Sequence, residues 1–163
     1  MPDNRTIVNG NPRFFADSML GKLARWMRTL GYDVEYDPHI DDGELVRRAA
    51  AGERVVLTRD TRLIKRKALR GRAFFVKSDR IKEQLKEVAS AYPPEKGLLL
   101  TRCLRCNAVL EDVSRESVRE KVPPYVYATQ GEFSACPACE RTYWGGTHRA
   151  RMIEELNKML EDG

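Results

Sequence analysis

Two sets of side chains in this 163-residue chain are equipped for chemistry: aspartates spaced through the first half and four cysteines in the second. Asp17 follows the apolar run Arg13-Phe14-Phe15-Ala16, Asp60 follows Val55-Val56-Leu57, and Asp79 follows Ala73-Phe74-Phe75-Val76. Asp42 opens a helical pattern after an alternating segment, with Asp41 and Glu44 as competitors for its place. Carboxylates that converge repel one another unless a cation lies between them. An oxygen-only donor set selects Mg²⁺ or Mn²⁺ over zinc. Such ions activate water and stabilise a phosphodiester transition state, the logic of metal-dependent nucleases. The opposing reading is local, because Asp is a preferred helix N-cap and each of these positions precedes a helical pattern.

The cysteines read Cys103-Leu-Arg-Cys106 and Cys136-Pro-Ala-Cys139, two C-x-x-C pairs with 29 residues between them. Each pair aims two thiolates at one point, and two pairs complete a closed tetrahedral zinc site. The spacing exceeds the common one, so an insertion separates the two knuckles. Four thiolates leave no open coordination position, which makes the expected zinc structural. Two disulfides fit poorly with an intracellular chain, and a redox C-x-x-C is expected once, near the start of a βαβ unit.

The elements that must position the aspartates alternate strand and helix. Residues 13–16 form a short apolar strand that stops at Asp17-Ser18. Met19, Leu20, Leu23, Trp26, Met27 and Leu30 then recur at helical spacing up to Gly31. Tyr32, Val34 and Tyr36 alternate with acidic residues, as a half-exposed strand does. A helix with Leu45, Val46, Ala49 and Ala50 on one face follows and ends at Gly52. Val55–Leu57 predicts a buried strand, Thr61–Leu69 a strongly basic helix, and Ala73–Val76 another apolar strand. A helix carrying Ile81, Leu85, Val88, Ala89 and Tyr92 runs to Pro93-Pro94. This βα alternation predicts a parallel sheet with helices on both faces, in strand order 2-1-3-4. Asp17 and Asp60 then flank the point where strand order reverses, where open α/β sheets bind ligands.

The pattern changes at Gly97. Short β signals at Val109-Leu110, Tyr125–Tyr127 and Thr142–Trp144 surround the cysteines, and a final helix carries Met152, Ile153, Leu156, Met159 and Leu160 on one face. Residues 1–96 and 97–163 are therefore expected as two units, the second a ribbon with a terminal helix packing back on the first.

Charge narrows the partners. Residues 1–96 carry 20 basic and 14 acidic side chains, whereas residues 97–148 carry six of each. The basic excess is densest in Arg54–Arg72, with eight cations against Asp60. Such a field suits a polyanion such as nucleic acid. Lys22, Arg25 and Arg28 on the first helix, and Arg59 and Arg62 beside Asp60, are the expected backbone-phosphate contacts, with Lys65 and Arg66 further along; all of them also suit a solvated face. Trp26 reads as core, His39 as an exposed loop residue, and His148 as a cap of the last helix or a phosphate contact. No P-loop and no G-x-G-x-x-G follows the first strand, against NTPase and dinucleotide sites. No window is apolar enough to span a membrane, and the polar stretch Met1–Arg13 lacks a leader-like apolar core, so a cytoplasmic location is expected.

The run Arg13-Phe-Phe-Ala-Asp17-Ser-Met-Leu-Gly-Lys-Leu-Ala-Arg-Trp-Met-Arg28, with Asp42-Gly-Glu-Leu45, Leu57-Thr-Arg-Asp60, Phe75-Val-Lys-Ser-Asp79, the two knuckles, Tyr143-Trp144 and Gly146-Thr-His148, resembles the Mut-seven C-terminal RNase domain family over residues 13–160. That group is PIN-like with an appended zinc ribbon. The resemblance implies a three-layer α/β fold and a metal-dependent ribonuclease, with Asp17, Asp42, Asp60 and Asp79 holding one or two Mg²⁺ or Mn²⁺ ions. The alternatives are a non-catalytic RNA-binding module associated with tRNA or the ribosome, whose aspartates only cap helices, and a protein-interaction adaptor built on the ribbon. Only the adaptor predicts no salt-dependent RNA affinity.

Overall fold

Short apolar runs become short parallel strands. In the computed structural model, which describes residues 12–161, β1 (Phe14–Ala16), β2 (Val34–Tyr36), β3 (Val55–Thr58) and β4 (Ala73–Phe75) form one sheet in the order β2-β1-β3-β4. Most of the polar N-terminal stretch discussed above lies outside the described residues. All three pairings are parallel, and Ala16 stands level with Tyr36 on one side and Leu57 on the other. The strand order matches the expectation from apolar patterning. β1 and the whole of β3 are buried, while the alternating β2 takes an edge with Glu35 and Tyr36 half-buried.

Alternation along β1 sorts its side chains to two faces. Phe14 and Ala16 join a cluster with Leu23, Met27, Leu85 and Val88 from α1 (Gly21–Thr29) and α3 (Ile81–Ala91). Phe15 faces the other way, onto Leu45 and Ala49 of α2 (Asp42–Ala51), with Leu63 and Leu69. The domain is thus a three-layer α/β sandwich. Phe14 sits edge-on to Tyr32 and Tyr92, at centroid distances of 5.6 and 5.0 Å. Trp26 packs against the same cluster, as its spacing predicted. Gly31 ends the α1 region at φ +97°, and a Cβ there would lie 2.4 Å from the Leu98 carbonyl oxygen, so a side chain is excluded.

The basic helix expected over Thr61–Leu69 does not form. Two short 3-10 turns, Leu63–Lys65 and Lys67–Leu69, flank an extended Arg66. Leu63 and Leu69 are buried, but clustered cations oppose a continuous helix by i,i+4 repulsion. Arg54, counted in the basic field, is internal. Its Nη1 donates to the Phe14 carbonyl at 3.1 Å and to Asp33 at 2.6 Å, and Nη2 pairs with Glu35 at 3.1 Å.

Beyond α3 a second sheet forms, antiparallel in the order β5 (Glu111–Val113), β6 (Phe133–Ala135), β7 (Thr142–Trp144). Val109 makes an isolated bridge to Arg102 ahead of β5. Tyr125–Tyr127, read above as β, lies in the helix α4 (Pro124–Thr129). Proline near its start favours a first helical turn and supplies no strand donor. This insertion between the knuckles carries its own small core of Val118, Val122, Val126 and Phe133. α5 (Thr147–Glu161) returns to the first unit, placing Leu156 and Met159 in the same cluster as α1 and α3. No helix among the described residues is long and apolar enough to cross a membrane.

Candidate functional site

Parallel strands all end on one edge, and the loops leaving that edge carry the aspartates. Asp17 leaves β1 with its amide still bonded to Leu57 O of β3 at 2.9 Å. Its Oδ1 accepts from the Ser18 amide at 2.7 Å, capping a 3-10 turn at Ser18–Leu20 that leads into α1. Its Oδ2 accepts from Thr58 Oγ1 at 2.8 Å. The Thr58 hydroxyl in turn accepts from the Asp60 amide at 2.9 Å. Thr58 is fully buried at the end of β3 and so ties the two aspartates across the switch point.

Asp60 Oδ1 accepts from the Arg62 and Leu63 amides at 2.8 and 3.1 Å. The Leu63 and then the Arg62 amide hold its carboxyl below the ordinary Asp value, so it is anionic at neutral pH. Beside it, Arg59 Nε is buried without a hydrogen-bond partner. On the β2 side, Tyr36 donates its hydroxyl to Ser18 O at 2.8 Å. A Cβ at Gly21 would fall 2.8 Å from that hydroxyl, so glycine permits the approach.

The three acids around the start of α2 have different partners. Asp41 is the N-cap of α2, accepting from the Glu44 amide at 2.8 Å, and Glu44 pairs with Arg47. Asp42 is left to face the loop after β3, where its Oδ2 lies 4.0 Å from Arg66 Nη2. Asp79 is exposed in the β4–α3 loop. Glu87 of α3, unforeseen in the sequence, satisfies that loop by accepting from the Lys77 and Ser78 amides at 2.8 and 3.0 Å. It sits mid-helix, and no local signal pointed to it.

Asp17 and Asp60 are thus joined through Thr58, whereas Asp42 and Asp79 are not hydrogen-bonded to that pair. Among the described residues, the only group of three or more potential ligands with all donor atoms within 4.8 Å of one another is the cysteine quartet. The aspartates therefore form no multi-carboxylate cage in this arrangement. Hard oxygen donors of this kind match Mg²⁺ in type, an ion that one or two carboxylates can hold while it keeps several waters.

The cysteines fit a different metal. A tetrahedron with Zn–S bonds of ~2.3 Å has sulfur–sulfur edges of about 3.8 Å. Cys103 and Cys139 Sγ lie 3.7 Å apart. Each knuckle turns at a left-handed residue after its second cysteine, Asn107 at φ 69° and Glu140 at φ 63°, and their amides return to the Cys103 and Cys136 carbonyls. Cys103 Sγ also meets the Tyr143 hydroxyl at 3.2 Å. Burial pushes the Cys103 thiol up, but the Tyr143 hydroxyl and nearby amides outweigh it and bring the value to about 7. The four-sulfur set suits a closed structural zinc site.

The first knuckle is bolted to the α/β unit. Asn107 Oδ1 accepts from the Val34 amide at 2.9 Å, and its Nδ2 donates to Asp33 at 2.7 Å. Arg28, expected above to contact phosphate, is buried. Its Nε donates to Val34 O, and its Nη1 to Leu104 O, both at 2.9 Å. Its guanidinium is spent on joining α1, β2 and the knuckle, because the helical face that reads as basic turns toward a partner invisible in the local sequence. Lys22 and Arg25 are exposed, as is Arg62. His39 and His148 are also exposed.

In comparisons with known proteins, the family model described as the Mut7-C RNAse domain matches residues 12–156. Neither the curated proteins nor the solved structures yielded a match.

Proposed function

Because the chain belongs to the Mut7-C RNAse domain family, we propose that it is a metal-dependent ribonuclease, acting as an endonuclease, whose acidic centre is built on Asp17 and Asp60. The observation that supports this most is the Thr58 bridge between the two aspartates at the strand-order reversal. Asp17 and Asp60 would hold the ion, with Asp42 and Asp79 contributing through its water shell. A bound Mg²⁺ or Mn²⁺ supplies an activated water and charge stabilisation at the phosphodiester.

The chain's own residues do the rest. Thr58 fixes the rotamer of Asp17 and the entry of the Asp60 loop. Arg62, exposed two residues after Asp60, and the half-buried Arg59 are the cations placed to meet a phosphate beside the acidic pair. Lys22 and Arg25 lie one helical turn apart on an exposed side of α1 and extend the same cationic track. Phosphate contacts of this kind give affinity without sequence choice. The cysteine quartet holds zinc as a structural clamp.

Cleavage of a mixed single-stranded RNA pool with Mn²⁺ tests the reading. Asp17→Asn and Asp60→Asn should each slow cleavage by about 100-fold or more, the rate equivalent of several kcal/mol of transition-state stabilisation. Both should still fold and bind RNA. Wild-type protein that binds RNA but never cleaves it would instead identify a non-catalytic RNA-binding module.

A further inference from the structure

A cleft of about 780 Å³ opens between the ribbon sheet, α4 and the first turns of α5. Its cations come from three separate places: Arg25 from α1, Arg141 from the ribbon, and Arg149 and Arg151 from α5. Arg25, Arg149 and Arg151 form no ion pair among the described residues, so their charge faces solvent unneutralised. Arg102 also lines the cleft but is committed elsewhere, donating to Gly31 O and Asn107 O. Two acids, Asp112 and Glu132, lie on the walls, leaving a cationic excess. Four aromatic rings line the same space: Phe133 belongs to the small ribbon core and Tyr143 is bonded to Cys103, which leaves Tyr125, 72% exposed on α4, and the half-buried Trp144 of β7, one side of which packs on that core. An exposed tyrosine of this kind does nothing for the small core beneath it, which is filled by Val118, Val122, Val126 and Phe133.

Aromatic faces among unpaired arginines are the composition that binds single-stranded nucleic acid, with bases stacked on rings and phosphates on guanidinium groups. The position is also suited to feed the acidic edge. Arg25 lies four residues after Gly21, where α1 leaves the Asp17 turn, an advance of about 6 Å along the helix. Lys22 is one turn closer to that edge on the same side of α1.

We propose that this cleft is a binding subsite for a single-stranded segment of RNA substrate, stacking bases on Tyr125 and Trp144 and engaging phosphates through Arg25, Arg149 and Arg151. The inference rests on the ribonuclease reading for the identity of the polymer, but binding is separable from cleavage. Duplex RNA buries its base faces and cannot use the rings.

Fluorescence anisotropy of a 5′-labelled oligouridine, in buffer without added Mg²⁺ or Mn²⁺, tests the subsite. The Arg149→Ala/Arg151→Ala double variant should weaken binding by about ten-fold and flatten the slope of log K against log salt by about 1.4, at 0.7 for each lost phosphate contact. Tyr125→Ala should weaken binding by about five-fold or more while leaving the salt slope unchanged. The equally discharged control Arg119→Ala/Lys121→Ala, outside the cleft, should bind within two-fold of wild type by about the worth of a solvated surface charge. Zinc content and circular dichroism confirm that each variant is folded. Wild-type affinity in both cleft variants, a loss no greater than the control's, or equal competition by duplex RNA would overturn the subsite. Wild-type protein that shows the expected binding pattern yet never cleaves would overturn only the nuclease reading.

Discussion

Thr58→Val replaces a hydroxyl by a methyl of nearly equal volume at a position with no solvent exposure, so its effect isolates the two hydrogen bonds that the hydroxyl makes. The bond to Asp17 Oδ2 has an ionised acceptor, a class that contributes about 1.5–3 kcal/mol, and the bond from the Asp60 amide contributes about 1 kcal/mol. Their joint loss should cost about 2.5–4 kcal/mol, a large share of the roughly 5–15 kcal/mol that holds a typical domain together. Urea unfolding should show a lower midpoint at unchanged slope, since the surface exposed on unfolding stays the same. Activity should fall further than stability alone explains at temperatures where the variant is fully folded, because Asp17 loses the contact that sets its rotamer. Thr58→Ser keeps the hydroxyl and should restore most of the activity while losing only the packing of one methyl. Thr58→Val protein as stable and as active as wild type would refute the idea that this bridge organises the acidic edge.

The ribbon should lose its structure as a unit when the thiolate cluster is broken. One zinc per chain is expected by elemental analysis, and Cys136→Ser or strong chelation should abolish hydrogen-exchange protection across residues 103–107 and 133–144. The same treatment should loosen β2, whose Val34 amide is held by Asn107, while β1 and β3 stay protected. Unchanged protection after the zinc is removed would contradict the clamp. Asp33 predicts an acid-sensitive contribution to stability. Burial pushes its carboxyl up, but hydrogen bonds from Arg54 and Asn107 and the charges of Arg54 and Arg102 outweigh it and hold the value below normal. A depressed folded value means that the stabilisation is complete above the unfolded value of about 4 and disappears as pH falls through the folded one. Asp33→Asn should therefore be less stable at neutral pH and show a shallower loss of stability below pH ~4, measured by urea midpoints; an unaltered acid profile would sink this assignment.

Local chemistry determined much of this protein. Apolar runs at residues 14–16 and 55–57 had to be buried strands, the alternating 32–36 had to lie at an edge, and from these the order β2-β1-β3-β4 follows. The C-x-x-C pairs announced their cluster because two adjacent thiols need only a tight turn to converge, and the family motifs are contiguous strings. Residues whose roles depend on distant partners could not be read this way. Arg28 and Arg54 resemble solvent-facing cations along the chain, and only folding brings carbonyls and Asp33 against them. Thr58 is an ordinary strand residue until β1 lies beside β3. The cationic cleft is invisible in segment charges, since the ribbon is neutral and Arg25, Arg149 and Arg151 arrive from helices at opposite ends of the sequence. Tertiary structure also set Asp42 against Arg66, since it brings the loop after β3 to the start of α2, whereas the Asp41 cap is a local contact.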